Sequence, residues 1–375
     1  MEEALTLGVE EEYLLVCPET RKAVKNPPKG FMKACQDQIG ERVTPEFLRC
    51  QVEIATGICK TVAQARSEIA DLRGSLARIA IDHDMRLMAA STHPFTHWSQ
   101  QKPTQGERYE QLSTDMKGAI HRMMICGMHV HIGIENRDAM IDVQNQIRYF
   151  LPHMLALSTS SPFWGGQRMG LQSYRLSVFD GMPRTGIPEA LQSFGEYERL
   201  VDAIVRSGAI EDSSKIWWDI RPSNKFPTLE MRICDICTIL DDAMSIAAIY
   251  QSLTRRLLRL KDSNMRWRIY PAFLIEENRW MAQRHGVEGK LIDFGHGGAV
   301  PFAVLLEELI DWISEDAEAL GCLKEVRNAR NIIRNGSSAA RQLATFENEV
   351  AEKRNKREAL KSVVDQLVRE TVQDL

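Results

Sequence analysis

The chain has 375 residues, 44% of them apolar and 26% charged, with a formal net charge of −4. This is an ordinary globular composition, which argues against disorder over most of the length and against a broad basic surface for nucleic acid. No apolar run approaches the roughly 18 residues that a bilayer span needs, so no membrane partner is expected. The acidic start runs into a strand and does not read as a signal peptide. Eight cysteines are scattered, and only Cys234 and Cys237 have metal or redox spacing, without a second pair. Free thiols in a reducing cytosol, and hence a cytoplasmic protein, are the expectation.

The first element is Leu7–Val16, whose apolar and aromatic residues read as a strand. Alternation puts Glu10 and Glu12 on one face and Val9, Tyr13 and Leu15 on the other. Glu11 then falls on the apolar face and needs a partner such as an arginine. Two carboxylates about 7 Å apart on one strand face repel unless a cation lies beside them, a first hint of a divalent metal; a solvated strand face is the bland alternative. Residues 46–54 read as a second strand carrying Glu46 and Glu53. Their odd spacing puts them on opposite faces of a regular strand, so either Glu46 lies on the turn after Pro45 or the strand bulges.

Thr61 to Asp82 has the three-four apolar spacing of an amphipathic helix, with Thr61 as its cap. A short strand follows over 85–91, then a loop over 93–106. The strand expected from Met123 to Ile134 contains Met128-His129-Val130-His131-Ile132. Both imidazoles share one face, which suits metal or phosphate contact, or equally a pair of hydrogen-bonded structural histidines. A helix is expected over 137–157, a long polar loop over 158–172 and another helix over 188–207. Two strands over 215–221 and 226–234 flank the turn at 222–225. The second places Glu230 and Arg232 on one face, either as a plain salt bridge or as a metal-holding carboxylate beside a phosphate-clamping guanidinium. Helices are expected over 239–260, 272–285, 301–319, 323–334 and 346–371. The connections are too short for regular crossovers, so the expected fold class is α+β. It is an antiparallel sheet covered by helices, one domain over 1–375 with a helical C-terminal layer from about 271.

No GxxxxGK[ST] and no GxGxxG at a strand–helix junction is present. Any use of ATP would therefore rest on Mg²⁺ held by carboxylates. Taken together, Gly8-Val9-Glu10-Glu11-Glu12-Tyr13, the Gly127–Gly133 run, Trp218–Ser223 and Thr228–Arg232 resemble the glutamate–cysteine ligase type 2 family of carboxylate–amine ligases, in its bacterial YbdK-like branch. The resemblance implies a glutamine synthetase-like fold, with a curved antiparallel sheet, outer helices, and ATP and metal on the concave face. It implies metal ligation by Glu10, Glu12, Glu46, Glu53, His129 and Glu230. Arg232 would contact the transferring phosphoryl group, with Arg175 as a second phosphate-facing arginine.

The activity so implied joins a carboxylate, such as glutamate, to an amine, such as cysteine, through an acyl phosphate. His131 or a carboxylate would take the amine proton. Trp218, Arg221 and Asn224 are placed near substrate or nucleotide, with a structural role as the alternative for the tryptophan. Asn278, Arg279, Trp280 and Arg284 either reach the nucleotide or form a surface salt bridge. The loops over 93–106 and 158–172 are candidate lids, and the helical C-terminal third offers a surface on which two chains could pair. The alternatives are a regulatory Mg/ATP-binding protein without turnover, and a metal-dependent hydrolase using His129 and His131.

Overall fold

Alternation along Leu7–Val16 (β1) sets the architecture: Val9, Glu11 and Tyr13 are buried while Gly8, Glu10 and Glu12 are partly open. The structure, a computed structural model, describes residues 5–375 apart from the side chains at 107, 108, 112 and 115. The acidic start at Glu2 and Glu3 lies outside the described residues. Around β1 assemble Val43–Pro45 (β2), Gln51–Ala55 (β3), Arg86–Met88 (β4), Met128–Gly133 (β5), Ile220–Pro222 (β6) and Thr228–Met231 (β7). They form one seven-stranded sheet in the order β6-β7-β5-β1-β3-β2, with β4 also on β1, and every pairing is antiparallel.

The apolar face is covered by helices, chiefly Val62–Asp82 (α1) and Leu240–Asp262 (α2). Thr61 caps α1, its hydroxyl accepting from the Gln64 amide. Glu11 does find an arginine: Arg73 of α1 reaches it at 2.6 Å, with both side chains fully buried. Arg73 also donates to the Cys237 and Thr238 carbonyls, so one guanidinium ties β1 to the chain entering α2.

Several boundaries differ from the sequence expectation, each for a local reason. The segment 46–54 is not one strand; β2 ends at Pro45 and β3 begins at Gln51, with a turn between them. The strand expected from Met123 starts at Met128, because 118–121 close a helical turn and 125 and 127 make only isolated bridges. The helix expected over 137–157 breaks after Ile147 and resumes at Leu151, where Pro152 fits the first turn. The helix expected over 346–371 is two, Ser338–Ala351 and Lys356–Thr371. Lys353 adopts a left-handed φ of 64° and Asn355 caps the second helix by accepting from two amides, which ends one helix and starts the next. The helices Phe31–Ile39 and Glu107–Met116 and the hairpin Lys290–Asp293/Gly298–Pro301 were not expected. All eight cysteines are free. Among the described residues, no helix is long and apolar enough to cross a membrane.

Candidate active site

Register builds the site one row at a time across the uncovered face. Arg221, Glu230 and His131 stand side by side on β6, β7 and β5, with Gly8 next in line on β1. The next row pairs His129 with Glu10, and the one after pairs Glu12 with Glu53 and Glu53 with Thr44. These rows floor a cavity of about 680 Å³, whose wall includes Glu46, Arg175 and Arg232. Two sets of three potential ligands meet there, Glu10–His129–Glu230 and Glu12–Glu53–His129, with ligand atoms within 4.8 Å of one another in each.

His129 Nδ1 lies 3.1 Å from Glu10, and His131 Nε2 lies 3.4 Å from its other oxygen, outside hydrogen-bond geometry. The His131 Nδ1 contacts the Thr228 hydroxyl at 3.0 Å. Glu230 is gripped by Arg221 Nε at 3.0 Å and by Arg232. Glu12 accepts from the Gly127 amide at 2.7 Å. Glu53 accepts from the Thr44 hydroxyl at 3.1 Å.

Charge is unevenly balanced among these groups. Burial opposes ionisation of Glu230, but Arg232 and Arg221 prevail and hold its carboxyl well below the usual range. Burial likewise opposes ionisation of Glu10, and its hydrogen bond with His129 and the close His131 imidazole prevail. Glu12 moves the other way: burial raises it, and Arg175, the Gly127 amide and Arg232 offset that only in part. Glu53 is pushed well above the carboxylate range by burial and then by the like charges of Glu46, Glu10 and Glu12. Burial and Arg232 hold His129 down at about 4, so it is a neutral imidazole able to ligate at neutral pH. Burial also opposes the charge on His131, but the neighbouring Glu10 carboxylate and then Glu230 raise it. Oxygen-rich donors with one neutral imidazole, crowded until one carboxyl resists ionising, are what a hard divalent cation would relieve, so these residues fit Mg²⁺.

Arg175 is set from behind the sheet. The buried Asp235 carboxylate accepts from the Ser160 amide and from the Ser161 and Ser173 hydroxyls at 2.7–2.8 Å, and Ser161 Oγ in turn accepts from the Arg175 amide at 3.0 Å. The guanidinium donates to the Arg232 and Ile233 carbonyls and lies flat on Gly127, where a Cβ would sit 2.5 Å from Nη2. A Cβ at position 127 would therefore push the Arg175 guanidinium off this position.

Of the residues singled out in the sequence, Glu10, Glu12, Glu46, Glu53, His129, His131, Arg175, Arg221, Asn224, Glu230 and Arg232 all line this one cavity. Glu46 does so from just beyond β2, which settles its odd spacing in favour of a turn position. Trp218 is a correction: it packs against Tyr197 with ring centroids 6.2 Å apart, and its neighbour Trp217 lines the cavity instead, as adjacent residues on a strand must face opposite ways. Arg279 is also corrected, being no surface residue: it is buried and grips Asp180 and Asp219 at 2.7 Å each. No described residue of the loops 93–106 and 158–172 lines the cavity, so the expected lids are not part of its wall. Sequence reasoning missed Gln51, Thr44 and Gly127; Gln51 was findable, standing two residues before Glu53 on the same strand face.

A family model described as glutamate-cysteine ligase family 2 (GCS2) matches residues 6–366. A relative from Rhodospirillum rubrum, provisionally named glutamate–cysteine ligase 2, is 50% identical over 378 residues, which cover 100% of this chain and 97% of the relative. One of the same provisional name from Jannaschia sp. is 49% identical over 100% of this chain and 98% of its own length. Among solved structures, the bifunctional glutathione synthetase from Pasteurella multocida superposes with a TM-score of 0.71 at 13% identity, covering 99% of this chain and 53% of that longer one. The glutamate–cysteine ligase from Francisella tularensis, in complex with AMP, gives 0.66 at 13% identity over 100% of this chain and 90% of that one. At such identity the structures speak for the fold, that of the glutamate–cysteine ligases, while the sequence matches speak for kinship. The chain therefore belongs to glutamate–cysteine ligase family 2 and is a carboxylate–amine ligase, an enzyme that closes a C–N bond.

Proposed function

We propose that the enzyme uses ATP to join a carboxylate, with glutamate as the first candidate, to an amine such as cysteine, through an acyl phosphate. The observation that supports this most is the convergence of Glu10, Glu12, Glu53, His129 and Glu230 on one cavity with Arg232 and Arg175 on its wall. Phosphoryl transfer between two anions is an electrostatic problem, and this is the equipment for it. Glu10, Glu12, Glu46, Glu53, His129 and Glu230 would hold Mg²⁺, which when bound neutralises phosphate charge. Arg232 contacts the transferring phosphoryl group, with Arg175 as the second cation. Arg221 holds Glu230 in place, and Asn224 stands at the nucleotide end of the cavity. His131, between Glu10 and Thr228, accepts the amine proton in the second step.

The whole chain acts as one catalytic unit, the helical layer of 271–375 serving as its outer support, and its free thiols suit a cytosolic setting. The substrates are small molecules, without nucleic acid or membrane, and the helical layer is the surface on which two chains would pair.

The test is trapping. With Mg-ATP, glutamate and hydroxylamine, the enzyme should release ADP and form a hydroxamate in equal amounts. ADP formation that does not depend on any acid, across a panel of carboxylates, would point to a plain ATPase and sink the reading.

A further inference from the structure

The cavity has two unlike ends. Lys215, Arg221, Lys225 and Arg232 line the end around Glu230, which makes it the side for a polyanionic triphosphate. Past Glu12 and Glu53 the lining includes Phe47, Tyr109, Ile120, Met123 and Ile125, with Arg175 at its border, where it lies over the Phe179 ring that packs with Ile125. This apolar end is well built. The Phe47 and Tyr109 rings meet edge to face at 6.3 Å, and the Tyr109 hydroxyl donates to the Pro45 carbonyl at 2.6 Å.

Gln51 and Glu46 are the polar groups beside it. Gln51, 4% exposed, donates through Nε2 to the Ile125 carbonyl at 2.6 Å, which fixes the amide orientation and leaves Oε1 in the cavity wall as a buried acceptor with no partner. A buried acceptor left unpaired is costly, so it marks a place where a donor is expected.

We propose, building on the ligase reading above, that the amine substrate is a primary amine with a bulky apolar body, seated among Phe47, Tyr109, Ile120, Met123 and Ile125 and donating one amino N–H to Gln51 Oε1. A very small amine would leave these walls unfilled. In the coupling step the amine lone pair attacks the acyl carbon and the C–N bond forms. The C–O bond to phosphate breaks, inorganic phosphate leaves with the bonding pair, and the N–H proton passes by way of His131 to that phosphate.

The experiment measures phosphate release with Mg-ATP and glutamate while 2-phenylethylamine, isoamylamine, cysteine and glycine are titrated in turn, beside hydroxylamine, which needs no pocket. The first two amines should exceed cysteine and glycine at least tenfold in kcat/KM. Gln51→Leu and, separately, Met123→Glu should each lower kcat/KM for 2-phenylethylamine at least fivefold relative to hydroxylamine; unchanged ratios in both variants would overturn the assignment. Hydroxamate formation with cysteine or glycine preferred over the apolar amines overturns the inference and leaves the ligase reading standing. No hydroxamate with any acid overturns both.

Discussion

The buried pair Glu11–Arg73 offers the sharpest test of how the site is held. Arg73 Nε and Nη2 donate to the Glu11 carboxylate at 2.7 and 2.6 Å, and Nη1 and Nη2 to the Thr238 and Cys237 carbonyls, each at 2.9 Å. Tyr13 donates its hydroxyl to the same carboxylate. Glu11→Leu removes three charge-assisted bonds, two from Arg73 and one from Tyr13, and leaves a fully buried guanidinium with only carbonyl partners, a loss of about 3–5 kcal/mol. Arg73→Met strands a carboxylate with one hydroxyl and two carbonyls with none, and costs a similar ~3–5 kcal/mol. The double variant has no orphaned charge, so it should fall short of the sum by about 2–3 kcal/mol. Urea unfolding followed by tryptophan fluorescence and far-UV circular dichroism measures all four proteins, with coincidence of the two probes checking that a single transition is being read. Single variants within about 1 kcal/mol of the parent, or a double variant equal to the sum, would refute the claim that this pair works as a unit.

Three further outcomes are expected. Gly127→Ala should lift the Arg175 guanidinium off its bed and cut kcat at least tenfold while the urea midpoint moves little; unaltered turnover would mean that Arg175 is not used where it lies. Arg232→Ala should lower kcat by about a hundredfold or more, the usual scale for losing one transition-state charge contact, while ATP affinity measured by calorimetry changes far less. Acid should destabilise the fold through His93, which burial holds at about 3. Its imidazole is neutral when folded and protonates near pH 6.5 when unfolded, so the contribution is complete above pH 6.5 and is lost as pH falls toward 3, reaching about 2 kcal/mol at pH 5. The stability difference between pH 7 and pH 5 should therefore shrink by about 2 kcal/mol in His93→Gln, the buried His129 and His153, both held at about 4, keeping their share, and an unchanged pH slope would contradict the assignment.

Period-two alternation is a property of the chain itself, because successive side chains on a strand must face opposite ways. That is why Glu10 with Glu12, His129 with His131, and Glu230 with Arg232 were legible as shared faces, and why Glu11 was legible as needing an arginine. Helix α1 and its Thr61 cap were readable for the same reason at the helical period. Register between strands is another matter, since it depends on partners far apart in the chain. Only the assembled sheet decided that Glu10 stands beside His129 and Glu12 beside Glu53, that Glu46 joins them from a turn, and that Trp217 rather than Trp218 faces the cavity. Nor could local pattern reveal that Arg73 would be Glu11's partner, that Asp235 positions the Arg175 backbone, or that Gln51 is left with an unpaired oxygen. Those facts arise from closure of long loops around one core, where the energy of a side chain is set by whichever distant group packing brings to it.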